Sequence, residues 1–106
     1  MNAHEATRWL NVAAKDLGNA SFLFENRWPR PLELICFLCQ QCVEKALKAY
    51  LVFQDEVPSR THDVAFLCEK CVEYSDTFAP WVNACQQLIS YAVNVRYPLN
   101  VEIEEE

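Results

Sequence analysis

The sequence predicts an all-α chain, an up-and-down bundle of four helices with room for a short fifth, and three observations lead there. Glycine occurs once in 106 residues, at Gly18, and tight β-hairpin turns need residues that tolerate positive φ. Apolar residues recur at three- and four-residue steps, the period of a helix face. Prolines fall at the boundaries of those stretches, where a missing N–H and a fixed φ interrupt or open a helix.

The first stretch runs from Asn2 to about Glu25. Ala6, Leu10, Ala13, Leu17, Ala20 and Phe24 form one apolar stripe, and Asn2 with Glu5 reads as a capping box. Pro29 and Pro31 end it. The second helix is expected from near Pro31 to about Gln54, roughly 35 Å at about 1.5 Å per residue. Its first half is apolar on nearly every side (Leu34, Ile35, Cys36, Phe37, Leu38, Cys39, Cys42, Val43), as befits a central helix covered by neighbours or by a second subunit. Its second half carries a polar strip, Gln41, Glu44, Lys45 and Lys48, in which Glu44 and Lys48 make a favourable i, i+4 pair.

Thr61 is a candidate cap for a third helix, His62 to about Tyr74, with Val64, Leu67, Cys68 and Cys71 facing inward. The fourth is expected from Asp76 or Phe78 to Arg96, with Val82, Cys85, Leu88, Ile89, Ala92 and Val95 as its stripe, Pro80 in its first turn and Pro98 at its end. Residues 1–106 are one domain by length, ending in an acidic tail, 102–106.

Net charge is −6, which disfavours general affinity for polyanions unless cations cluster locally. No stretch is apolar for the roughly 20 residues a membrane span needs, and MNAHEATRWL has no basic-then-apolar leader pattern. A cytoplasmic location is expected, with six free thiols. Cys36-x-x-Cys39-x-x-Cys42 and Cys68-x-x-Cys71 imitate metal-ligand spacing but lie inside predicted helices, where cysteine packs as a small apolar residue. No metal and no cofactor is assigned. A zinc or redox role is the alternative that metal analysis would test.

Gly-rich phosphate loops, HExxH and nucleophile elbows are absent. His62, in Arg60-Thr61-His62-Asp63, reads either as an ordinary helix-start residue or as a phosphate or base contact beside the forked donors of Arg60. Arg96 complements a helix C-terminus, or else joins Lys45, Lys48 and Arg60 in a small basic island on an acidic chain.

Trp9-Leu10 through Ala13, Asp16-Leu17 and Ala20, then Cys36-Phe37 with Gln40-Gln41, Glu44-Lys45-Ala46-Leu47-Lys48-Ala49, Arg60-Thr61-His62-Asp63 and Arg96-Tyr97-Pro98 resemble a prokaryotic HEPN domain from about residue 6 to residue 98. The resemblance implies a helical bundle that forms homodimers. It also implies a possible partner, a minimal nucleotidyltransferase of the MNT type, in a two-component, toxin–antitoxin-like pair. Other members are metal-independent ribonucleases that use an arginine followed, after four to six intervening residues, by histidine. Here the positions reached from Arg96 are Val101, Glu102 and Ile103, and Leu38 stands where relatives often carry histidine. The expectation is therefore a non-catalytic module, dimeric, binding a nucleotide through Lys45, Lys48, Arg60, His62, Arg96 and Tyr97, with Gln41 and Glu44 beside them. A ribonuclease with a degenerate site, acting on RNA, is the alternative.

Overall fold

A computed structural model describes residues 1–96, with side chains to Tyr91. Four α-helices follow one another: α1 (Ala3–Asn26), α2 (Leu32–Phe53), α3 (Val64–Val72) and α4 (Val82–Arg96), with a 3-10 turn over Asp76–Trp81 before the last. The all-helical expectation stands. Pro98, Tyr97 and the acidic tail lie outside the described residues, as do the side chains of Ala92, Val95 and Arg96.

The caps show why each helix starts and stops where it does. Asn2 accepts from the Glu5 amide at 3.0 Å, which is one half of the expected box, while the Glu5 carboxylate accepts from Asn2 Nδ2 at 3.0 Å, side chain to side chain. At the end of α2, Asp55 takes a φ of 67°. Its N–H reaches the Val52 carbonyl at 2.9 Å, while the Glu56 N–H reaches Leu51 at 3.0 Å. This is a Schellman closure with aspartate where glycine is usual.

One capping expectation is corrected. Asp63, not Thr61, caps α3, its carboxylate accepting from the Phe66 amide at 3.1 Å. A full negative charge serves a helix start better than a hydroxyl. Thr61 Oγ1 instead accepts from the Asp63 amide at 3.2 Å, holding the turn that leads in. His62 therefore lies outside the helix. The fourth stretch likewise opens as a 3-10 turn capped by Ser75, with Pro80 inside it, and only becomes α-helical at Val82.

The core sits around the second half of α2. Leu47 and Leu51 pack with Val64, Leu67, Cys68 and Cys71 of α3 and with Cys85 of α4, while Val82 and Ile89 lean on the same cluster. Leu67, Val64, Cys68 and Cys71 have no accessible surface. Burial pushes the Cys71 thiol up to about 12 and the Cys85 thiol up to about 11, so these groups are small apolar fillers rather than nucleophiles. On α2, burial likewise raises Cys36, Cys39 and Cys42. Among the described residues no cluster of three His, Cys, Asp or Glu side chains has metal-holding geometry, and no helix is long and apolar enough to cross a membrane.

Among the described helices α1 packs on α2 alone, and the molecule is elongated, 43 × 24 × 23 Å. The contact uses Ala6, Ala13 and Ala20, all buried. Alanine at every seventh position lets two backbones approach closely. The rest of the expected stripe is not inside: Leu10, Leu17 and Phe24 are 50%, 51% and 47% exposed. They are displaced sideways from the alanines around the helix, and no third helix among the described residues covers that flank. For the same reason the first half of α2 is covered only partly, with Ile35 and Cys36 buried but Leu34 and Phe37 exposed.

Candidate functional site

The polar strip of α2 splits between two directions. Glu44 and Lys48 are buried, and Lys48 Nζ donates to Glu44 Oε2 at 3.0 Å. The other carboxylate oxygen, Oε1, lies 3.0 Å from His62 Nδ1. Residues 54–63 make this possible: after the Schellman turn the chain doubles back along α2, so that a residue preceding α3 reaches a side chain about two and a half turns before the end of α2.

Glu44 is 5% exposed and His62 78%, so one carboxylate joins an interior ammonium to an imidazole at the surface. An ionised carboxylate only accepts. A neutral His62 would then hold its proton on Nδ1 and present Nε2 to solvent as an acceptor, the orientation a carboxylate imposes on a histidine base. Removing one partner of a buried ion pair strands the other, so Glu44 fixes both Lys48 and His62.

Lys45 turns the other way and donates to Asp16 Oδ2 of α1 at 2.7 Å. Trp9 sits between the two lysines' territories: the Lys48 ammonium is 5.8 Å from the centre of its ring. A groove of about 510 Å3 opens alongside, lined by Glu5, Arg8, Trp9, Val12 and Lys45. Gln41 is half-buried one turn earlier. Arg60 is exposed two residues before His62, with no ion pair among the described residues. The expected island therefore comes together in part. Lys48 and His62 meet on Glu44, Lys45 faces α1, Arg60 stands at the rim, Arg96 is placed only as backbone at the end of α4, and Tyr97 lies outside the described residues.

The resemblance includes Trp9 and Asp16 in its pattern, but sequence reasoning gave neither a place at the site. Both belong to the flank of α1 next to the buried alanines, at the seven-residue spacing of Ala6 and Ala13. That spacing was the available signal. Their partners lie 29 and more positions away, so only the packing of α1 on α2 shows which cations they meet.

The family model of the HEPN domain matches residues 6–106. The chain belongs to the HEPN family. Among curated proteins and solved structures nothing matches it. In this HEPN domain the residues that carry the family pattern on α2, from Gln41 to Lys48, are those that build the buried Glu44–Lys48 pair and its link to His62.

Proposed function

We propose that this HEPN domain is a non-catalytic module that homodimerises and binds a nucleotide, or a minimal nucleotidyltransferase carrying one, at the end marked by Glu44, Lys48, His62 and Arg60. The single observation that supports the reading most is the Glu44 bridge, which holds an imidazole at the surface two residues from an exposed guanidinium. A guanidinium, and an imidazole when protonated on both nitrogens, donate to phosphate oxygens, and Trp9 offers an aromatic face next door. Arg96 and Tyr97 are included as the family pattern brings them. The toxin–antitoxin-like pairing is part of the same proposal.

Titration calorimetry of the purified protein with AMP and ATP tests it. Saturable heat that falls at least about tenfold in affinity in Arg60→Ala is the expected result. The absence of heat at millimolar nucleotide would remove the nucleotide half.

A second reading, a metal-independent ribonuclease, is favoured by the orientation of His62, whose Nδ1 is engaged by Glu44 while the rest of the ring is exposed. It predicts RNA cleavage in the presence of chelator that is lost in His62→Ala and much reduced in Glu44→Gln. Intact RNA after prolonged incubation would dispose of it.

A further inference from the structure

α1 carries a second seam. Ala6, Trp9, Ala13, Asp16, Ala20 and Leu23 follow a seven-residue repeat, and that side lies on α2. Thr7, Leu10, Ala14, Leu17, Ser21 and Phe24 follow the same repeat one step around the helix, and all six are exposed. A sustained seven-residue repeat is the pattern that seats a helix against another helix. Among the described residues no other helix occupies this one, since α1 contacts only α2, and its Phe24 end is touched by the Arg30 guanidinium, 3.9 Å from the ring centre.

The order of sizes along the seam points to its occupant. Small and large residues alternate: Thr7, Ala14 and Ser21 are the small set, and Leu10, Leu17 and Phe24 the large. A two-fold axis passing between Lys15 and Asp16 sets a second α1 antiparallel to the first. It then opposes Thr7 to Phe24, Leu10 to Ser21, and Ala14 to Leu17, so that every layer joins one large residue to one small one. A surface that pairs with its own copy must be self-complementary in this way, and such layers bring helix axes close.

Two further observations agree. Gly18, the only glycine, stands beside Leu17 in the middle of α1, where glycine costs about 1 kcal/mol relative to alanine. A Cβ there would meet nothing within 4 Å in its own chain, so nothing internal asks for glycine, whereas a close neighbouring helix would. The six seam residues also carry no charge, although the chain bears −6, so two copies meeting here face each other where repulsion is weakest. A nucleic-acid partner would need a row of cations along the seam, whereas the six seam residues supply none and Arg30 stands over Phe24 at one end only.

We infer that the uncovered seam of α1, Thr7 through Phe24, is the dimer interface, closed by the α1 helix of a second copy in antiparallel register with Gly18 permitting the close approach. This rests on the homodimer reading above and specifies its surface.

Sedimentation or light scattering across a concentration series, with circular dichroism alongside, tests it on the wild type, Leu17→Glu, Gly18→Leu and Val12→Glu. Val12 is also exposed, but on the opposite side of α1. The expected result is a wild-type dimer, a Val12→Glu dimer, and dissociation constants raised at least about tenfold in Leu17→Glu and Gly18→Leu with helicity unchanged. If the wild type is dimeric and both seam variants remain as tightly dimeric, the seam assignment is overturned while the homodimer reading stands. A wild type that stays monomeric at every concentration overturns both.

Discussion

The two ends of α2 live in different surroundings. Toward its C-terminus, Leu47 and Leu51 pack with α3 and α4, and Val64, Leu67, Cys68 and Cys71 around them lose all contact with water. Toward its N-terminus, α2 and the far half of α1 form an arm in which, among the described residues, alanines, Ile35 and Cys36 are buried while Phe24, Leu34 and Phe37 stay about half exposed. The same apolar richness thus has two fates. Where several elements converge, it is a core that stabilises the monomer. Where two helices lie alone, half of it remains a surface whose burial needs another molecule.

This contrast can be broken by substitution. Leu67→Ala empties a fully enclosed site and should cost about 2–5 kcal/mol by denaturant unfolding, whatever the protein concentration. A loss below about 1 kcal/mol would mean that the enclosed end is not what holds the monomer together. Ala13→Leu presses four carbons' worth of side chain into the α1–α2 contact, and overpacking of this kind costs about 1–3 kcal/mol. Because α1 has no other neighbour among the described helices, hydrogen exchange should rise through α1 while α3 stays protected. Uniform loosening would show the two regions to be one cooperative unit.

The smallest effect concerns pH. Hydrogen bonds from Tyr74 and Lys70 hold the Glu56 carboxyl below its ordinary value of 4.5, so the stability it contributes is complete above that pH and is lost as pH falls through the lowered value. The same bond pushes the Tyr74 hydroxyl up to about 12 from 10.0, so its contribution is complete below pH 10 and fades as pH rises toward 12. All three groups tie the end of α2 to the end of α3. In Glu56→Gln both slopes in melting temperature should flatten, and the arm should not respond.

The helices were legible because local rules govern them: proline at boundaries, an Asn2–Glu5 box, and a three- and four-residue apolar rhythm. Periodicity could place Leu10, Leu17 and Phe24 on a face but could not say which third helix, if any, covers it. That depends on chain path, and the return of residues 54–63 along α2 is set by a φ of 67° at Asp55, a conformation that sequence patterns mark when the residue is glycine. The cap of α3 was misassigned for a related reason: Thr61 and Asp63 are both able to cap, and only the turn geometry decides. At the site, the Glu44–Lys48 pair follows from i, i+4 spacing, whereas its link to His62 spans 18 positions and the Lys45–Asp16 bond 29. Long-range partners of this kind leave no local trace.

The six cysteines are distributed over the whole molecule: Cys68, Cys71 and Cys85 in the enclosed end, Cys36, Cys39 and Cys42 along the arm. A thiol that is buried and pushed toward 12 reacts with an alkylating reagent only when its surroundings open. The chain therefore comes with its own set of clocks. The order in which they run down under a thiol reagent, first Cys39 and Cys42 and last Cys71, would record which part of the fold breathes and which does not, without any label having to be introduced.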